Sequence, residues 1–204
     1  MTHPSARARR IAIVGAGFSG AVTAVQLLRH APPEGLQVVL INESGRCARG
    51  LAYGTSSREH VLNVPAGNMS ALAQDADDFL RYCRWSDPQV GPGSFVSRRL
   101  YGAYLEALLS AAELTAAPTI ALERVVGRVI GLDIDAGAGV AIRMAQGGLI
   151  AVDHVWRSAT SRRWTRCRRS RWPRPARATC AIPGRAMHCA ASRPMQTCCS
   201  SAPG

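Results

Sequence analysis

Arg10-Ile-Ala-Ile-Val-Gly-Ala-Gly-Phe-Ser-Gly20 is the stretch whose reading decides the fold of this 204-residue chain. Four apolar residues, Ile11 to Val14, run into a G-x-G-x-x-G turn made by Gly15, Gly17 and Gly20. An alanine- and leucine-rich segment then keeps helical spacing to His30. After an Ala-Pro-Pro-Glu-Gly break, Leu36 to Ile41 reads as a second buried strand. Strand, glycine turn, helix and strand within about thirty residues make the dinucleotide-binding unit. Each glycine has its own task there: Gly15 for the tight turn, Gly17 for close approach of backbone to a pyrophosphate, Gly20 for close packing of helix on strand. The free N–H groups of the turn from Gly15 through Ala16, Gly17, Phe18 and Ser19 to Gly20, with the helix dipole behind them, are the candidate diphosphate cradle.

Outward from this unit, the second strand ends at Asn42 and Glu43, where a residue that bonds ribose hydroxyls is expected. Glu43 offers a carboxylate and Asn42 a neutral amide, and both stand as candidates. Ser44 to Met69 is a long excursion containing Gly, Arg and Asn, where a simple nicotinamide domain would soon have a further helix and parallel strand; loops of that length are usually functional. Asp75 to Trp85 reads as a short helix with a modest apolar face. Arg98 to Leu114 reads as a stronger one, with Leu100, Tyr104, Leu105, Leu108 and Leu109 on one side. Ile120 to Asp135, Val140 to Ala145 and Leu149 to Val155 read as strands, separated by glycine-containing turns that make a β-meander. The predicted class is therefore α/β: a Rossmann-like domain with a parallel sheet and a β-meander insertion. The order is that of FAD-binding domains.

The end of the chain follows different rules. Residues 1–155 carry 14 Arg against 13 carboxylates, whereas residues 156–204 carry 11 Arg and no acid, so nearly all of the +12 net charge lies there. That segment also holds five of seven Cys and three of four Trp, with no Leu or Val. Such a composition offers too little apolar surface to offset chain entropy, which predicts disorder. The expected division is a domain over 1–155 and a basic tail over 156–204. Three readings of the tail stand: an arginine arm for nucleic acid, a metal site, which the lack of any C-x-x-C pair opposes, and an out-of-frame continuation of GC-rich coding. The chain has 25 Arg and no Lys, as GC-rich coding gives. Shifting the frame by one base after Val155 allows Trp156 to Ser161 to be reread as L-A-L-G-H-L, and Thr197 to Gly204 as D-V-L-L-I-G-S-G. The first completes a strand and the second opens a new strand with a G-x-G turn. The rereading favours a frameshift, and with it a truncated domain. The competing class is a small nucleotide-binding protein whose tail binds nucleic acid without sequence preference.

Arg7, Arg9 and Arg10 before an apolar stretch outline a signal peptide, but the spaced glycines, Thr23 and Gln26 fit it poorly, and a strand follows where cleavage would fall. A cytoplasmic protein with no membrane span is expected, with Cys47 and Cys83 as unpaired thiols. No metal ligand set is read. His60 reads as a solvated loop residue, and no Ser/His/Asp or Cys/His arrangement emerges from spacing.

Four motifs in order, IAIVGAGFSG (11–20), GRCARGLAYGT (45–55), HVLNVPAGNMSA (60–71) and FVSRRLYGAYLEALL (95–109), resemble the FAD/NAD(P)-binding proteins related to FAD-dependent urate hydroxylase. The resemblance implies FAD held by Gly15, Gly17 and Gly20, with the Arg49-Gly50 loop near the cofactor and the backbone of Val129 meeting the adenine. It places Asn42 where the family often has an acid. It maps the arginine of an R-x-x-Y-G element to Arg98, preceded by Ser97 where proline is expected. The implied parent reaction is hydride transfer from NAD(P)H to flavin, followed by oxygen activation and hydroxylation of a small molecule. The chain as written is expected to lack the nicotinamide and substrate sites, and so to show little or no turnover.

Overall fold

A computed structural model describes residues 8–135 and 139–158. The sequence readings made for 159–204, including the nucleic-acid arm, the metal site and most of the rereading, lie outside the described residues. In chain order the elements are β1 (Arg9–Val14), α1 (Phe18–Arg29), β2 (Leu36–Asn42), α2 (Gly50–Tyr53), a 3-10 turn (Ala66–Asn68), α3 (Asp78–Ser86) and α4 (Arg98–Leu114). Then come β3 (Ile120–Val126), β4 (Val129–Asp135), β5 (Gly139–Met144), β6 (Leu149–Val152) and β7 (His154–Arg157).

Two sheets form. A parallel sheet runs β3-β2-β1-β7, and an antiparallel meander runs β4-β5-β6. In the parallel sheet Ile13 pairs with Leu40 on one side and Trp156 on the other, and Val38 pairs with Leu122. The central strands are apolar at successive positions because both of their faces are covered. Ile13, Val38 and Leu40 point into a core shared with α1, α3 and α4. Ala12, Val14, Val39 and Ile41 point the other way, against Val129, Ile142, Met144 and Val152 of the meander. Helices, parallel sheet and meander are thus stacked in three layers, and period-two alternation along β1 and β2 feeds both interfaces.

The helix core is aromatic. Tyr101, 2 % exposed, lies 4.6 Å from Tyr53 and 4.8 Å from Phe79, ring centre to ring centre. The Tyr104 hydroxyl donates to Asp78 Oδ2 at 2.7 Å and accepts from the Ala71 amide at 3.2 Å, which satisfies its polar end inside the core. Ser97 caps α4: its Oγ accepts from the Leu100 amide at 3.2 Å, a role proline cannot fill.

Three sequence expectations are redrawn. Ile120 to Asp135 is two strands in two sheets, broken at Gly127 and Arg128. Leu149 to Val155 also divides, at Asp153, with β6 ending the meander and β7 joining β1 in the parallel sheet. The first helix beyond the excursion begins at Asp78 and not at Asp75. At the expected boundary after Val155, β7 runs on through Trp156 and Arg157, and the Ser158 amide still donates to Val14 O at 3.0 Å. Among the described residues no helix is long and apolar enough to cross a membrane. Among the described residues Cys47 and Cys83 have no disulfide partner.

Candidate functional site

The turn from β1 to α1 is held as its glycines require. Gly15 takes φ +96°, and its amide donates to Ile41 O at 2.9 Å, so the turn is tied to the end of β2. A Cβ on Gly20 would overlap the Gly15 carbonyl oxygen, which fixes the close crossing of α1 over β1. Gly17 is the residue before α1, and no side chain caps the helix; its first turn contains no acid. The leading N–H groups of α1 are therefore left for an outside acceptor, as an anion cradle needs. Ala16 is fully buried, while Phe18 and Ser19 are exposed at the helix start.

The excursion after β2 folds back onto this turn. The Ala48 amide donates to Ala16 O at 2.7 Å, and Gly50, at φ +54°, rests with its Cα against Gly17: a Cβ on Gly17 would lie 3.7 Å from it. The Arg49-Gly50 loop thus lies against the glycine turn. The Arg49 guanidinium turns toward α4, where Nε and Nη2 bond the two carboxylate oxygens of Glu106 at 2.6 and 2.7 Å. That hydrogen-bonded pairing raises the arginine's pKa further. Glu106 lies 57 residues away in sequence, and no local signal marks it.

Asn42 has a task that the sequence does not disclose. Its Nδ2 donates to Ser44 O at 2.8 Å and to Arg46 O at 2.8 Å, and its Oδ1 accepts from the Ala16 amide at 3.4 Å. Both amide hydrogens are engaged within the 42–46 turn, so this side chain clamps the loop to the glycine turn. Glu43 is exposed beside it, without a side-chain hydrogen bond among the described residues. Val129 opens β4 and packs with Val14 and Ile41, beneath the ends of β1 and β2. Arg98 donates through Nε to Val61 O at 3.0 Å. The exposed His60 ring shares a 2.7 Å hydrogen bond between Nδ1 and Thr55 Oγ1.

A second feature went unread in the sequence. Between the 46–56 segment and α4 lies a cavity of about 440 Å³, walled by Arg46, Arg49, Thr55, Ser56, Arg99 and Glu106. Its residues come from two distant stretches, and only the packing of the excursion on α4 brings them together.

Residues 12–160 match the model of a family described as FAD-NAD(P)-binding. No curated protein sequence matches the chain. Among solved structures, the fold is similar to an oxidized steroid monooxygenase bound to NADP (19 % identity, TM-score 0.52) and to cyclohexanone monooxygenase in a closed form (14 %, 0.51). It is also similar to the cyclohexanone monooxygenase from Rhodococcus sp. Phi1 bound to NADP+ (14 %, 0.50). In each case 74 % of this chain is covered but only 26 % of the other. At these identities the likeness is one of fold, and the chain spans about a quarter of those structures. With a match over most of its length, on the same elements that build the glycine cradle, the chain belongs to the FAD-NAD(P)-binding family.

Proposed function

We propose that this domain holds FAD, as the cofactor domain of a monooxygenase-like oxidoreductase that takes hydride from NAD(P)H and acts on a small molecule. The observation that carries the reading is the uncapped, acid-free start of α1 at Gly17, set between Gly15 and Gly50. In the turn Gly15-Ala16-Gly17-Phe18-Ser19-Gly20, the backbone N–H groups from Gly17 onward would hold the diphosphate, while those of Gly15 and Ala16 tie the turn to Ile41 and Asn42. Because Asn42 spends its amide on the loop, Glu43 is the residue assigned to the ribose hydroxyls. The Arg49-Gly50 loop would border the cofactor, and the Val129 backbone would border the adenine. FAD would supply the redox chemistry; this chain's residues bind and orient it. The nicotinamide site, the substrate site and turnover are assigned to a longer parent, and residues 156–204 to a shifted frame.

Titration of the purified chain with FAD, followed by flavin fluorescence, tests this. One-to-one binding is expected. Gly17→Ala keeps the backbone N–H, and its methyl finds only ordinary contact with Gly50; by holding the diphosphate off that N–H it should weaken binding by roughly tenfold or more while the circular dichroism is kept, the worth of one hydrogen bond to a charged group. Wild-type protein that binds FAD no better than AMP would overturn the proposal.

A further inference from the structure

Of the wall of the cavity between the 46–56 segment and α4, only Arg49 belongs to the cofactor assignment. None of its wall comes from residues 15–20, from Glu43 or from Val129. Its charges can be counted. Arg49 and Glu106 close a two-pronged pair and cancel one another. Arg46 and Arg99 remain, both exposed, and among the described residues neither guanidinium meets a carboxylate. Arg99 stands in the first turn of α4, which contains Arg98 and Arg99 and no acid. That end of a helix already carries about half a positive charge, so cations there are disfavoured unless an anion faces them. The wall therefore combines two full positive charges and a helix end, and among the described residues its one carboxylate, Glu106, is taken up by Arg49. The exposed Ser56 hydroxyl lines the same space.

A ligand that answers this wall carries about two negative charges and several acceptor oxygens. Guanidinium forks fit the oxygens of a phosphate two at a time, and the hydroxyl supplies one further donor. We propose that the Arg46–Arg99 cavity is a phosphate site, separate from the glycine-turn cradle, for a phosphorylated small molecule. This goes beyond the cofactor reading and does not depend on it.

The test uses the full chain and orthophosphate, titrated calorimetrically in about 0.15 M NaCl, where the Debye length is about 8 Å and diffuse attraction to the arginine-rich residues 156–204 is screened. Orthophosphate should bind with one-to-one stoichiometry, with saturating FAD present or absent. Arg46→Gln and Arg99→Gln should each weaken binding by roughly tenfold or more, the worth of one hydrogen bond to a charged group. Arg29→Gln, an exposed arginine on α1 outside the cavity wall, should leave it unchanged. Three results would overturn the inference: no orthophosphate binding, an equal loss in Arg29→Gln, or complete displacement of phosphate by FAD. FAD titration of the same samples scores the cofactor reading separately, so either can fail alone.

Discussion

Replacing Asn42 by aspartate separates two assignments for the end of β2. If Asn42 stands in for an acid that grips ribose, restoring the carboxylate should tighten FAD binding. The structure leads to the opposite result. The amide donates to Ser44 O and Arg46 O, both at 2.8 Å, and a carboxylate can donate to neither. Two lost hydrogen bonds, at about 0.5–1.5 kcal/mol each, remove about 1–3 kcal/mol, with repulsion between carboxylate and carbonyl oxygens added. The 44–50 segment that these bonds pin includes Ala48 at φ +72°, a conformation held only while its surroundings enforce it. For a folded unit of this size, a loss of about 2 kcal/mol lowers the melting temperature by roughly 4–8 °C. Thermal unfolding followed by circular dichroism reads this directly, and FAD titration of the same sample should show weaker binding as the Arg49-Gly50 loop loosens. An Asn42→Asp variant that melts within about 1 °C of wild type and binds FAD more tightly would refute the clamp and return Asn42 to the ribose.

Further outcomes follow from other residues. Ser97→Ala removes the cap of α4 and should lower stability by about 1 kcal/mol in urea denaturation, with the midpoint moving and the slope unchanged. Burial pushes the Cys83 thiol up to about 11, so above pH 9 the unfolded chain releases a proton that the folded chain keeps. Stability from this thiol is therefore constant below about pH 9 and falls between pH 9 and 11. Wild type should lose about 2–3 kcal/mol more than Cys83→Ala across that window; parallel pH profiles for the two proteins would contradict the assignment. For residues 156–204, the nucleotide sequence across codons 150 to 204 should continue openly in a neighbouring frame through L-A-L-G and V-L-L-I-G-S-G. Closed neighbouring frames would make the segment native protein and revive the nucleic-acid arm.

The β1-α1-β2 unit, the meander and α4 were legible because their signals are local. Contiguous apolar runs, glycines closely spaced on one turn and one apolar helix face dictate structure wherever the segment is placed. The candidate cradle was legible for the same reason, since Gly15, Gly17 and Gly20 sit together between β1 and α1. What the sequence could not carry depends on partners distant along the chain. Residues 120–135 and 149–155 are β-formers throughout, and only the choice of hydrogen-bonding neighbour sends β3 and β7 to the parallel sheet and β4 and β6 to the meander. Arg49 gains its partner Glu106 only when α4 packs beside the loop. Asn42 gains its hydrogen bonds to Ser44 and Arg46 only when the loop turns those carbonyls toward its amide. Arg46 and Arg99 share a cavity only because the excursion lies on α4. Local pattern fixes conformation through short-range sterics and periodic burial; pairing of charges and saturation of hydrogen bonds are settled by which segments meet, and that is decided only when the core packs.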